Sequence, residues 1–264
     1  MTIGVDPVAF TVGSMEVRWY GIIIALCIVT MLGWTWYFGK KARISPDVLV
    51  GAGLAAVVLG VVFSKLLHVI DKFSYYVDNP GDIFDRAGLT VFGAIIGGIL
   101  GAWLYCRRRK KPFGPLADVA APGVALGQVV GRMACTINGC CHGYPTTLPW
   151  AYTYTHPASE ARPLDVPLHP TQGYEMLANA VFFVVIFWLL RGHLKPSGSL
   201  MAAYLVMYAS GTAVIRVFRG DTEPFVGPLQ EAQLVSLIVV IICVWILVAR
   251  KTRWVVKREM AYEA

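Results

Sequence analysis

The chain has 264 residues, of which 56% are hydrophobic and only 15% are Asp, Glu, Lys or Arg. A soluble domain carries roughly a quarter charged residues, so this sequence lacks the polar side chains to clothe a water-facing surface. Six cysteines and a net charge of +7 complete a composition that disfavours a disordered chain, a small disulfide scaffold and a soluble nucleic-acid binder.

Uncharged runs occupy residues 19–39, 48–64, 87–106, 119–131, 176–190, 196–215 and 232–249. Several approach the roughly 20 residues that carry a helix across a hydrocarbon core, and the pattern predicts an all-α polytopic membrane protein with seven transmembrane helices in one domain, 1–264. Basic residues gather after alternate runs: Lys40, Lys41 and Arg43; Arg107 to Lys111; Arg191 and Lys195; Arg250, Lys251, Arg253, Lys257 and Arg258. Fifteen of the 23 Lys and Arg thus lie on one side. Positive charge marks the cytoplasmic side, which puts the N-terminus out and the C-terminus in. The first run lacks a basic leader and a small-residue cleavage site, so it reads as a retained helix rather than a signal peptide. No internal repeat is evident, which disfavours a transporter.

Two longer connections fall on the outward side. Residues 71–86 carry Asp71, Asp78, Asp82 and Asp85. Residues 140–173 are rich in proline and contain Trp150, Tyr152 and Tyr154, a composition that argues for an ordered cap rather than disorder.

Polar groups at membrane depth are costly and point to function. The fourth segment, Asp118 to Asn138, contains Pro122, Gln128 and Arg132. Arg132 either snorkels to the interface or faces a cavity and binds an anion such as a lipid phosphate, which its planar fork suits. In His169-Pro170-Thr171-Gln172-Gly173-Tyr174-Glu175, Pro170 bars helix before it, Thr171 reads as an N-cap, and Gln172 and Glu175 share a face. Glu175 is either a favourable charge at a helix start or part of a site. Arg216 and Arg219 share a face at the end of the sixth run, near Asp221 and Glu223; Lys65 interrupts the second run, with His68 beyond it. Snorkelling is the simpler account of these cations. Cys135, Cys140, Cys141 and His142 fall within eight residues. Zinc is disfavoured because a second ligand pair is missing and adjacent cysteines fit poorly on one tetrahedral ion; a disulfide from Cys135 to Cys140 or Cys141, a reactive thiol, or plain packing stay open. Cys27, Cys106 and Cys243 read as packing residues.

Taken together, two segments resemble signatures of the prolipoprotein diacylglyceryl transferase family of bacterial inner membranes. The first runs through Asp118, Ala121, Pro122, Gly123, Gly127, Gln128, Gly131 and Arg132 to Asn138-Gly139 and Gly143, Pro145 and Thr146; the second is His169-Pro170-Thr171-Gln172 with Tyr174-Glu175. Trp19-Tyr20-Gly21, the glycine-rich stretch from Gly88 to Gly101 and Phe218-Arg219-Gly220-Asp221 are weaker matches. The family shares the seven-span, amino-terminus-out arrangement reached above by charge counting.

The resemblance implies transfer of a diacylglyceryl group from phosphatidylglycerol to the lipobox cysteine of a prelipoprotein, forming a thioether, with no cofactor or metal and no nucleic acid. Substrate binding is expected at Arg132, Asn138, Gly143, Gln172, Tyr174 and Lys65, and catalytic work at Glu175, His169, Arg219 and Arg216, with His142 a further candidate base. Several family positions differ: Phe92 stands where a His is usual, Cys135, Thr136 and Cys140 replace residues around the Asn-Gly pair, and Thr212 and Arg216 fall where an Arg and a Glu are expected. Two classes therefore stand side by side, a transferase with rearranged polar residues and a non-catalytic or differently reactive lipid-binding paralogue.

Overall fold

The computed structural model describes residues 1–13, 15–71, 73–84, 91–222, 227 and 229–254. Asp85, Gly88, Glu223, Lys257 and Arg258, singled out above, lie outside the described residues, as do the side chains of Asp71, Asp82 and Phe92. Helices dominate: α1 (Trp19–Lys41), α2 (Pro46–Asp71), the short α3 (Phe73–Asp78), α4 (Val91–Arg108), α5 (Phe113–Asn138), α6 (Thr171–Val184), α7 (Ser199–Ile215) and α8 (Glu231–Ala249). Six of the described helices are long and apolar enough to cross a membrane: α1, α2, α5, α6 extended to Leu190, α7 extended to Phe218, and α8. The protein is a mostly helical, multi-pass membrane protein.

The inside-out distribution of α6 shows why. Its buried residues are Thr171, Gln172, Glu175 and Asn179, whereas Leu177, Val181 and Val184 are exposed. A water-facing helix buries its apolar stripe; this one turns the apolar stripe outward and folds its polar groups in, as a lipid-facing helix must.

The chain divides into two compact units, Thr35–Leu116 and Met1–Trp34 with Ala117–Ala264. In the first, Gly93, Gly97 and Gly101 recur every fourth residue along α4 and press against the backbone of α2 at Phe63, Leu59 and Ala55. Small residues at this spacing let two membrane helices approach closely. Val48, Leu49, Ala52, Cys106 and Leu116 close one end of the unit. Lys65 belongs here, with its Nζ 3.4 Å from Tyr76 Oη.

In the second unit, α5 packs through Gly123 against Trp34 and through Gly127 against Met31 and Cys27. The Trp34 ring meets Phe183 and Phe187 edge-on at 5.3 and 5.2 Å, while Ala121 and Ala125 join Ile186, Leu200 and Tyr204. α7 begins after Gly198, which has no side chain to cap it. Asp118 of α5 supplies the missing acceptor, receiving the backbone N–H of Gly198 at 2.7 Å and of Met201 at 3.1 Å. The usual need of a helix start, an acceptor for its unsatisfied N–H groups, is thereby met from another helix.

The proline-rich connection holds two short strands. β4 (Tyr152–Tyr154) pairs in parallel with β1 (Thr2–Ile3) and antiparallel with β5 (Pro167–Leu168), over a small core of Ile3, Tyr154, Ala161 and Leu168. A hairpin of β2 (Val8–Val12) and β3 (Met15–Arg18) leads into α1, and β6 (Leu194–Lys195) pairs with β7 (Arg253–Trp254).

Candidate active site

α5 ends at Asn138 because Gly139 adopts φ +82°, the left-handed conformation that commonly stops a helix; its N–H returns to Cys135 O at 2.9 Å. The chain then runs through a ribbon that ties together the ends of three helices. Gly143 N–H donates to His169 O (3.0 Å), His169 N–H to Tyr144 O (2.9 Å), Tyr144 N–H to Phe218 O (3.0 Å) and Gly220 N–H to His142 O (3.1 Å). Residues 142–144 are thus sandwiched between the approach to α6 and the exit from α7. Gly143 is required at the centre, since a Cβ there would meet Phe218 O at 2.6 Å and His169 O at 2.8 Å.

Behind the ribbon, three guanidinium groups surround one carboxylate. Arg132 forms an ion pair with Glu175, whose side chain is 3% exposed, and Arg219 Nη1 lies 3.9 Å from the same carboxylate. Arg219 is held by Asp221 through a bidentate pair, Nε to Oδ1 at 2.6 Å and Nη2 to Oδ2 at 2.9 Å. Arg216, one turn away, interacts electrostatically with Arg132, Glu175 and Arg219. Arg132 Nε, Arg216 Nε and Arg219 Nη1 are buried donors without a hydrogen-bond acceptor among the described residues. Both Glu175 oxygens are likewise buried without a hydrogen-bond partner; buried polar atoms are rarely left unmet, so the cluster is an incompletely satisfied group of buried charges, which is costly to hold without a use. Simple snorkelling, the plainer account of Arg132, does not fit a guanidinium drawn inward to a buried carboxylate.

The remaining predicted residues form the walls. Gln172 is fully buried, and its Nε2 donates to Cys140 O (2.8 Å) and Tyr154 Oη (3.1 Å); burial pushes the Tyr154 phenol above its ordinary pKa. Asn138 is buried, with its carbonyl accepting Glu160 N–H at 2.9 Å. Half-buried His169 is held by Tyr174 Oη at 3.2 Å from Nδ1 and by the Phe218 ring at 5.2 Å, while Trp150 Nε1 donates to Tyr174 Oη (3.1 Å). His142 has both ring nitrogens engaged, Nδ1 3.1 Å from Gly143 O and Nε2 accepting Arg162 N–H at 3.4 Å, which fits a structural part better than that of a base. Thr171 is the first helical residue of α6, not its cap: the cap position is Pro170. The Thr171 hydroxyl donates instead to Cys141 O, because it is buried against the turn and not free to fold back on its own helix.

Sequence reasoning missed Asn179, Tyr204 and the position of Tyr20. Asn179 Nδ2 donates to Glu175 O at 2.8 Å, and Tyr204 Oη is 3.5 Å from Asn179 Oδ1. Asn179 follows Glu175 by one turn, a signal that was available in the spacing. Tyr20 interacts electrostatically with Arg132 and with Cys135, Cys140 and Cys141. Those three thiols are free, and their sulfur atoms lie within 4.8 Å of one another; neither disulfide considered for them is formed. Hydrogen bonds from Cys135 and Cys140, reinforced by Arg219 and Arg132, hold Cys141 below the ordinary thiol pKa.

The profile of the prolipoprotein diacylglyceryl transferase family matches residues 7–249. The chain belongs to that family. It is 41% identical over 252 residues to the phosphatidylglycerol–prolipoprotein diacylglyceryl transferase of Dehalococcoides mccartyi, covering 95% of this chain and 96% of that protein. Proteins of the same name from Clostridium tetani (31% identity, 91% and 96% of the two chains) and Trichormus variabilis (33%, 88% and 84%) are also similar. The family resemblance of the two sequence signatures therefore extends across nearly the entire chain, and both signatures contribute side chains to the arginine–carboxylate cluster.

Proposed function

We propose that the protein transfers a diacylglyceryl group from phosphatidylglycerol to the thiol of a prelipoprotein lipobox cysteine. The observation that carries this reading is the set of unmet donors on Arg132, Arg216 and Arg219 around Glu175. A lipid phosphodiester offers the oxygens these donors lack, at the end of membrane helices where such a headgroup resides.

The reaction is displacement at an sp3 carbon. The acceptor sulfur attacks the glycerol CH2, the carbon–oxygen bond breaks, and glycerol phosphate leaves with the bonding electron pair. Charge accumulates on the departing phosphate, where preorganised cations in a water-poor site are most effective. Arg132, Arg219 and Arg216 hold that group; Glu175 fixes Arg132 and Arg219. His169, on the half-buried rim, receives the thiol proton. Asn138, Gly143, Gln172 and Tyr174 shape the wall and the ribbon.

In this reading the chain lies in the bacterial inner membrane with its N-terminus outside and α4 as a seventh span, and residues 140–173 cap the outward face. The alternating basic clusters support that orientation, and 18 residues of α4 rise about 27 Å, close to the thickness of a hydrocarbon core.

Expression in a bacterium depleted of its own lipoprotein transferase tests the proposal. Restored growth with thioether-modified lipoproteins is the expected result. Failure by a well-expressed, membrane-inserted protein, together with lipid binding, would identify a non-catalytic paralogue instead.

A further inference from the structure

The turn that follows α5 carries chemistry that the transfer scheme leaves unused. Cys135 lies one turn before the end of α5, and Gly139 (φ +82°) and Cys141 (φ +65°) fold the chain back towards it. The free sulfurs of Cys135, Cys140 and Cys141 converge within 4.8 Å. Cys135 is buried, whereas Cys141 is only half-buried. The Cys141 backbone is pinned on both sides, its N–H donating to Asp221 Oδ2 at 2.9 Å and its carbonyl accepting the Thr171 hydroxyl. The same Asp221 clasps the Arg219 guanidinium, and Arg219 and Arg132 both favour a negative Cys141 sulfur. A reachable thiolate with a second thiol behind it is the arrangement that attacks disulfides. Adjacent Cys140 is a poor second thiol, because a disulfide between neighbours must close through one planar trans peptide and is strained. Cys135, brought near by the turn, is free of that restraint.

We propose that Cys141 and Cys135 act as a dithiol that reduces an acceptor cysteine held in a mixed disulfide with a small thiol, and releases it as a thiolate beside the transfer site. The proposal rests on the transferase reading above. In the orientation given there, this turn faces outward, into a compartment where disulfides form, and an acceptor sulfur locked in a disulfide is no longer the nucleophilic thiolate that transfer needs. The Cys141 sulfur attacks the sulfur of the small thiol. That S–S bond breaks, and the acceptor leaves as a thiolate with the bonding electron pair. The Cys135 thiol then attacks the Cys141 sulfur, a Cys135–Cys141 disulfide forms, and the small thiol departs with the Cys135 proton. Two cysteines of this chain are oxidised and the mixed disulfide is reduced to two thiols, so electrons and protons balance. Asp221 joins the Cys141 N–H to the Arg219 guanidinium, which places the exchange next to a cation that the transfer scheme assigns to the lipid phosphate. Each chain acts once, until an external dithiol restores the couple.

The test uses the full chain in detergent with phosphatidylglycerol, first reduced and then freed of reductant. Two lipobox peptides are supplied, one with a free cysteine and one whose cysteine carries glutathione in a mixed disulfide. With the second, mass spectrometry is expected to find about one glutathione released per chain, the stoichiometry of a single dithiol, with a Cys135–Cys141 disulfide and a matching amount of diacylglyceryl peptide. Peptide mapping of the unmutated protein locates that disulfide, a measurement that does not depend on any variant folding. Cys135→Ser is expected to stop at a glutathione adduct on Cys141, and Cys141→Ser to lose the release. Glutathione retained on the peptide, while the free-cysteine peptide is modified, overturns the proposal and leaves the transferase reading intact. A disulfide that excludes Cys141 or Cys135 also overturns it. Glutathione released with the Cys135–Cys141 disulfide formed, but neither peptide lipidated, overturns the transferase reading and leaves the exchange couple standing.

Discussion

Arg132 and Glu175, one from each of the two sequence signatures, meet as an ion pair whose side chains are 14% and 3% exposed. Leaving one member of such a pair without the other costs about 3–5 kcal/mol, because a charge stays buried without a counter-charge. Glu175→Gln keeps the shape and removes the charge. Its expected outcome is a lower thermal unfolding midpoint in detergent and loss of most transfer activity, with a stability loss on the order of 3 kcal/mol.

Arg132 tests the shape of the cation as well as its charge. Lysine retains the charge but offers no planar fork. Arg132→Lys is therefore expected to lose at least about tenfold in transfer from phosphatidylglycerol, the loss of roughly one charge-assisted hydrogen bond, and Arg132→Ala to abolish it. Membrane insertion, followed by fractionation, is expected to be normal in both. A lysine variant as active as the parent would show that the fork is not used.

Gly143 sits where two other backbones crowd it. Gly143→Ala must push the ribbon apart at Phe218 or His169, with an expected destabilisation of about 1–3 kcal/mol. Because the ribbon carries both the His169 corner and Arg219, activity is expected to fall further than stability alone explains. Initial rates measured well below the unfolding midpoint separate the two effects.

Asp118 provides the opposite contrast. It caps α7 from a distance and lies about 21 Å from Arg132 along α5. Asp118→Ala is expected to cost about 1–2 kcal/mol, seen as a lower unfolding midpoint, while the transfer rate of folded protein is unchanged.

Six of the seven expected spans and the two signatures were legible because hydrocarbon imposes a long, unmistakable period of uncharged residues, and because buried Arg and Glu are too costly to be incidental. Pairwise geometry was not. Spacing placed Gln172 and Glu175 on one face, but nothing in it revealed that Thr171 reaches across to Cys141 instead of capping its own helix. The Gly143 contacts depend on residues 26 and 75 positions away, which no local pattern encodes. The thiols show the same limit: neighbours in sequence usually point apart, and the left-handed Gly139 and Cys141 bring them together. Asn179 is the exception, readable one turn beyond Glu175 and overlooked.

The ribbon through Gly143 has a consequence for biogenesis. Its outer partner strands are contributed by His169 and by Phe218 and Gly220, so a nascent chain that has emerged only as far as α6 holds Arg132 and Glu175 but lacks the clasp that orders them. Competence arrives late in synthesis, when the stretch around residue 220 docks, and a ribosome stalled before that point would release a protein that is inserted but inert.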